Sequence, residues 1–190
     1  MPLHAIHFHS FPYTSELAKN KVITLANIIS EYTGNITIHI IPFTHIQEEI
    51  HKRCKPEYMI TLMRRIMMRI SERIAKNNGL KAIITGESLA QVASQTIESM
   101  TVTNAVIEDL PVLRPLIGMD KEDIIAISKK IRTYDTSILP YEDCCTVFLP
   151  EHPIIKPRID KVEKEESRLN IEELIAEAME KEEIVNTKDL

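Results

Sequence analysis

The run Ile36-Thr37-Ile38-His39-Ile40-Ile41-Pro42-Phe43 constrains the fold more than any other segment, because it is β-branched or apolar at nearly every position on both faces. A strand of that pattern must be covered on two sides, which is the condition of a strand inside a parallel sheet. The residues before it agree. Leu3 to His9 alternates as a strand, with Leu3, Ala5, His7 and His9 on one face and Ile6 and Phe8 on the other. The loop Ser10-Phe11-Pro12-Tyr13-Thr14 follows, Ser15 is placed to cap a helix to about Glu31, and Gly34-Asn35 ends it. Strand, helix, strand in this order is the unit from which α/β folds with a mostly parallel sheet and helices on both faces are built.

The alternation continues. Thr44 opens a short helix that stops before Pro56, and a long helix is predicted over about Glu57 to Asn77. Its apolar stripe is Met59, Met63, Ile66, Ile70 and Ile74, with Arg65, Arg69, Glu72 and Lys76 opposite and Arg64 at the border. Gly79 stops that helix. Lys81 to Thr85 reads as a strand running into Gly86, Leu89 to Ser99 as a helix, and Val112 to Ile117 as a last strand. Asp120 then caps a helix to about Ile131. Beyond residue 150 the character changes: Pro153 and Pro157 interrupt the chain, and Ile159 to Lys164 and Ile171 to Glu183 read as charged helices with thin apolar stripes. The expected organisation is an α/β domain over 1–150 and a charged helical extension over 151–190, a peripheral cover or partner-facing tail.

Composition excludes whole classes. A chain of 190 residues, 44% hydrophobic and 27% charged, supports one globular core rather than disorder. No stretch approaches the roughly 20 apolar residues of a membrane span. The N-terminus reads as no secretory signal, and three cysteines, two of them adjacent, make no disulfide framework. A soluble, cytoplasmic protein with no membrane partner is expected. The net charge of -5 arises wholly from residues 151–190, which hold 7 basic and 12 acidic side chains. In the neutral remainder Lys52, Arg53, Lys55, Arg64, Arg65, Arg69, Arg73 and Lys76 cluster, compatible with a phosphate-bearing ligand.

Several residues carry chemistry. Gly86-Glu87-Ser88 stands where a strand gives way to a helix, the place where parallel sheets bind ligands and where helix N–H groups favour anions. Glycine there lets a ligand approach the backbone, although a purely structural glycine fits equally. Gln91, Ser94, Gln95 and Thr96 make the next helix unusually polar, facing either a ligand or water. Arg64 and Arg65 have the forked geometry that clamps phosphates, or else face solvent. Lys121 opens a helix against its dipole, at about 0.3–1 kcal/mol when exposed, which suits either a task or a simply solvated first-turn lysine. Cys144-Cys145 follows the turn-forming Pro140-Tyr141-Glu142-Asp143. Adjacent α-carbons lie about 3.8 Å apart, below the usual disulfide window. The pair is therefore a sulfur-handling thiol or two small buried hydrophobes. No CxxC or HxxxH spacing supports a zinc site.

The segments AIHFHSFPYTS, ITGESLAQVASQT, VLRPLIGMDKEDII and LPYEDCCTVFLPEHPIIKP resemble, in that order, the ThiI tRNA sulfurtransferases (tRNA 4-thiouridine synthases), over about residues 4–160. The resemblance implies part of an ATP pyrophosphatase (PP-loop) domain, a Rossmann-like parallel sheet of the adenine nucleotide α-hydrolase type. It implies that ATP, with Mg as its counter-ion, adenylates O4 of a tRNA uridine. Sulfur delivered as a persulfide by a cysteine desulfurase then displaces AMP to give 4-thiouridine; some members also supply sulfur for the thiazole of thiamine. Carried over, the nucleotide-binding residues are His7, Phe8, Arg64, Gly86 and Gln95, with Lys121 and Cys145 as catalytic residues. Arg64 is then expected to face the nucleotide crevice, Lys121 to point across the carboxyl edge of the sheet, and Arg65, Arg69 and Lys76 to face solvent or tRNA. Cys54 is expected to be structural. In family members an SGGxDS loop and an RNA-binding THUMP region precede the HFHS strand at which this sequence begins. The chain is thus expected to be a C-terminal part, a split-gene product, mis-called start or relic, inactive without a separate N-terminal half. The rival readings are a non-catalytic nucleotide- or RNA-binding module and another ATP pyrophosphatase with a different substrate.

Overall fold

The computed structural model describes residues 2–89, 95–141, 144 and 148–190. In chain order the elements used below are β1 (Leu3–His9), α1 (Glu16–Thr33), β2 (Ile36–Pro42), α2 (Thr44–Arg53), α3 (Met59–Asn77), β3 (Ile83–Ile84), α4 (Ile97–Asn104), β4 (Val112–Leu113), α5 (Lys121–Lys130), α6 (Tyr134–Ser137), α7 (Ile159–Glu166), α8 (Ile171–Glu180) and β5 (Glu183–Asn186). They form two compact units, one of residues 1–44, 120–147 and 178–190, the other of residues 45–119 and 148–177.

In the first unit β1 and β2 pair in parallel, from Leu3 opposite Ile36 to His9 opposite Pro42. Their crossover is α1, which starts where the Ser15 side chain accepts the Ala18 N–H at 3.3 Å and ends at Gly34, whose φ of 79° is one that glycine adopts without strain. β2 is covered on both faces, as its composition requires. Ile36, Ile38 and Ile40 pack with Ala26 and the half-buried Leu3, Ala5, Ile23 and Ile29, and Ile41 and Phe43 are also fully buried. In the second unit Met59, Leu62, Met63, Ile66, Ile70 and Ile74 bury the apolar stripe of α3. β3 and β4 pair in parallel, Ile83 opposite Val112 and Ile84 opposite Leu113.

Several boundaries differ from the sequence reading. The helix expected over Leu89 to Ser99 is α4, which begins only at Ile97, where Thr96 accepts the Ser99 N–H at 3.1 Å. Gln91 and Ser94 lie outside the described residues. The strand expected to Ile117 stops at Leu113, because Pro115 cannot donate to a ladder. Pro56 to Tyr58 form a 3₁₀ turn ahead of α3. Asp120 precedes α5 without a side-chain cap bond.

The largest difference is at the C-terminus. The helix expected to Glu183 ends at Glu180, and β5 adds antiparallel to β2, Ile38 opposite Val185. Its ends are pinned to β2: the Thr187 hydroxyl accepts the Ile36 N–H at 2.9 Å, and Glu182 meets the ring of buried His39 at 2.5 Å. The charged tail is therefore built into the fold rather than laid over it. Val162 and Ile175 are fully buried, and acidic side chains of α7 and α8 are the partners of basic ones on α3.

Candidate functional site

Parallel pairing delivers the carboxyl ends of β3 and β4 to one edge of the second unit. The Thr85 N–H continues the ladder to the Leu113 carbonyl at 3.0 Å, so Thr85-Gly86-Glu87 and Arg114 leave the sheet side by side. Glu87 is 5% exposed. Its Oε1 accepts from Arg64 of α3, and its Oε2 accepts from Arg114 Nε at 2.7 Å and the Thr85 hydroxyl at 2.8 Å. Arg114 also donates to the Asn104 side-chain oxygen at 3.3 Å. Burial pushes the Arg114 pKa down, because a guanidinium removed from water loses hydration. Two guanidinia thus meet at one buried carboxylate.

Gly86 sits between Thr85 and Glu87, and no described atom lies within 4 Å of where a Cβ would stand. Among the described residues nothing crowds that position, and Gly86 is exposed. The segment that follows is tied down, Ser88 donating to the Met119 carbonyl at 2.9 Å and Leu89 N–H to the Ile117 carbonyl at 3.0 Å. Gln95 has a buried Oε1 with no hydrogen-bond partner among the described residues, an acceptor that lacks a donor. Arg64, expected at a ligand crevice, bonds the side chain of Glu87, the residue after Gly86. Arg114 has no role in the sequence reading, and Glu87 enters it only through the Gly86-Glu87-Ser88 turn. The available signal was position, since each directly follows a parallel strand or its glycine.

The rest of the basic cluster behaves differently. Arg65, expected to face solvent or tRNA, is 2% exposed. It donates to both oxygens of Glu166 at 3.0 and 2.8 Å and to the Val102 carbonyl at 2.7 Å. Arg69 reaches the same carboxylate at 2.5 and 3.0 Å. Burial raises the Glu166 pKa, but the hydrogen bonds from Arg65 and Arg69 outweigh it and hold the carboxyl below its ordinary value. Glu72, placed on the polar side by periodicity, is buried and accepts the Glu108 and Asp109 N–H groups at 3.1 and 2.9 Å. Lys76 pairs with Asp109 at 2.6 Å and Arg73 with Glu172 at 2.6 Å. Arg65 and Arg69 are thus held by acids of the same unit, whereas Lys76 is exposed, as expected, while paired. Helical periodicity could not show this, because the acids of α7 and α8 come about 100 positions later.

In the first unit, His7 and Phe8 lie on β1 opposite Ile40 and Ile41. Both are half-buried; Phe8 packs edge-on against Phe43 at 5.1 Å. Lys121 is exposed in the first turn of α5. Cys144 is buried, and Cys145 lies outside the described residues. The chain approaching the pair is held by Lys21 of α1, which donates to the Tyr141 carbonyl at 2.8 Å. Cys54, in the second unit, is buried, and burial raises its thiol pKa to about 11. Its Sγ donates to the Glu165 carbonyl at 3.4 Å, the behaviour of a structural thiol.

Comparison with known proteins bears on the family and the fold. A family model described as "Thiamine biosynthesis protein (ThiI)" matches residues 1–171. A protein of Acetivibrio thermocellus named "Probable tRNA sulfurtransferase" is 56% identical over 188 residues, 98% of this chain and 48% of that relative. One of Brevibacillus brevis with the same name is 53% identical over 182 residues, 96% of this chain and 45% of that relative. Among solved structures, a 4-thiouridine synthetase–RNA complex with bound ATP superposes with a TM-score of 0.90 at 35% identity, covering 97% of this chain and 48% of that one. The α/β fold expected from the resemblance is therefore present. The chain spans about half the length of the relatives it matches.

Proposed function

The chain belongs to the ThiI family, and on that premise we propose that it contributes the nucleotide-binding and sulfur-handling residues of a tRNA uridine 4-sulfurtransferase, the complete reaction belonging to a protein of the family's full length. The observation that carries the reading is the Arg64 bond to Glu87, the residue after the exposed Gly86, at the carboxyl ends of a parallel strand pair. Parallel α/β sheets bind nucleotides at that edge. The solved relative with ATP and RNA bound supports ATP and tRNA as ligands.

In this reading His7, Phe8, Arg64, Gly86 and Gln95 hold ATP. Arg64 supplies charge and direction to an anionic group, Gly86 admits it close to the backbone, and the buried Gln95 Oε1 accepts a donor from the ligand. ATP, with Mg as its counter-ion, supplies the adenylyl group that turns uridine O4 into a leaving group. Lys121 stabilises charge on the departing phosphate, an effect that depends on preorganised placement. Cys145 receives or resolves persulfide sulfur from a cysteine desulfurase, and reacts as its thiolate. The same chemistry serves thiazole sulfur if the acceptor is a thiamine precursor. The domain over 1–150 and the extension over 151–190 form one catalytic half, with a separate N-terminal half as partner, in the cytoplasm.

The test is to pair the chain with the complementary half of a relative and score 4-thiouridine in tRNA. Cys145→Ser is expected to abolish thiolation while adenylation persists, and Cys144→Ser to retain it. The opposite pattern would move the sulfur-handling role to Cys144.

A further inference from the structure

Three side chains from three segments of the first unit meet on one face of its sheet: His4 of β1, His39 of β2 and Glu182, the residue before β5. The face is the one turned away from Ile36, Ile38 and Ile40, which pack with Ala26 of α1. His4 Nδ1 lies 2.7 Å from His39 Nε2, and His39 Nδ1 lies 2.5 Å from Glu182 Oε1. His39 is 2% exposed, whereas His4 is half-buried on the strand at the edge of the sheet. We propose that this array is a one-proton catch that fastens β1 to β2 and to the C-terminal segment, and that a second proton opens it by expelling the His4 ring.

The number of hydrogens decides how the array behaves. A carboxylate only accepts, so His39 Nδ1 carries the hydrogen of its contact with Glu182. The contact between the two imidazole nitrogens needs one hydrogen and one lone pair. With both rings neutral, His39 Nε2 supplies the lone pair and His4 Nδ1 the hydrogen. One added proton is accommodated. It binds His4 Nε2, the shared hydrogen passes to His39 Nε2, and the resulting imidazolium faces the Glu182 carboxylate. A second proton puts a hydrogen on each nitrogen of the 2.7 Å contact and a positive charge on each ring, and the contact cannot survive that. The buried His39 is fixed, so the ring that leaves is His4. The surroundings offer no relief. Opposite His39 stand Ile6 of β1 and Ile184 of β5, and Thr37 on the same strand bonds the Asn186 side chain at 3.0 Å. Beside Glu182, Lys181 is exposed and Glu183 bonds Lys19 of α1 at 3.2 Å. Burial, and after it the neighbouring His39, hold the His4 pKa below its ordinary 6.5. Released into water, His4 takes up a proton near 6.5. The catch therefore holds fully above that value and is lost as pH falls toward the lower folded one.

The experiment is a nuclear magnetic resonance titration of the chain from about pH 8 to about pH 5, reading the ring-nitrogen signals of His4 and His39 and the exchange protection of the β1 amides. The two rings should titrate as a coupled pair, one proton entering without loss of their contact. Entry of the second should coincide with loss of the coupling across the shared hydrogen. Below 6.5 the protection of β1 amides should fall by up to about tenfold per pH unit, the dependence expected of one proton. His4→Asn places an amide donor near the position of Nδ1 and does not titrate, so it should keep the protection found at about pH 8 and lose its pH dependence. Should that variant fail to fold, His4→Gln offers the same donor on a longer stem, and the titration of the parent chain decides without either. Two charged rings with the coupling intact at about pH 5 would overturn the catch. So would β1 protection that is flat across the titration, or a pH dependence that persists in His4→Asn.

Discussion

Glu87 and Glu166 are the same device in two places. Each is a buried carboxylate that gathers two guanidinia, at least one of them from α3. Glu166 joins α7 to α3 between helices, and the cavity beside it is lined by Arg69, Arg73 and Lys76 together with Glu72, Glu108 and Glu172, so local charge is compensated. Glu87 stands at strand ends, directly after the exposed Gly86. What differs is location, not residue type. Adjacent arginines in the sequence, Arg64 and Arg65, are divided between the two.

That contrast is broken most forcefully at Glu166. Glu166→Ala strands Arg65, which is 2% exposed, and should cost about 3–5 kcal/mol in chemical denaturation. Loss of less than about 1 kcal/mol would show that the helix clamp holds little. A second, smaller effect follows from pH. The Glu166 carboxyl is held below its ordinary value of 4.5 in the folded state. Its contribution is therefore complete above about 4.5 and lost as pH falls through the lower folded value. Melting curves should show acid destabilisation, and Glu166→Gln should remove that part of the slope; an unchanged slope assigns it to other carboxylates. Third, Cys54 sits near the same helix pair with its thiol raised to about 11, so native protein at neutral pH should leave it unalkylated. Rapid labelling of Cys54 without unfolding would show that this interior opens. Smallest of all, Lys121→Ala should stabilise α5 slightly, by at most about 0.3–1 kcal/mol, since the cation opposes the helix dipole. In the completed enzyme the same change should lower turnover more than ATP affinity; equal turnover would remove Lys121 from the chemistry.

Much of the fold was legible because it follows from local pattern. The doubly apolar β2, the Ser15 cap and the Gly34 stop were readable from a few residues each. β5 was not, because four residues in an acidic stretch extend a helical pattern as easily as they form an edge strand, and only pairing with β2 decides between them. The buried face of Arg65 and Glu72 was misread for a related reason. Charged residues at polar positions of a helix read as solvated until their partners are known, and those partners lie on α7 or in the loop after α4. The site was legible as ordered motifs. What motifs could not supply was the bonding among them, which ties Arg64 and Arg114 to one carboxylate.

The division between the two clusters is tested most directly by ATP titration and thermal melting of Arg64→Gln and Arg65→Gln side by side. Arg64→Gln should lose ATP affinity about tenfold or more with a small change in melting temperature. Arg65→Gln should lower the melting temperature markedly while the folded fraction binds ATP as the parent chain does. Reversed outcomes, or equal losses of ATP affinity in both, would contradict the assignment of Arg64 to the ligand and Arg65 to the fold.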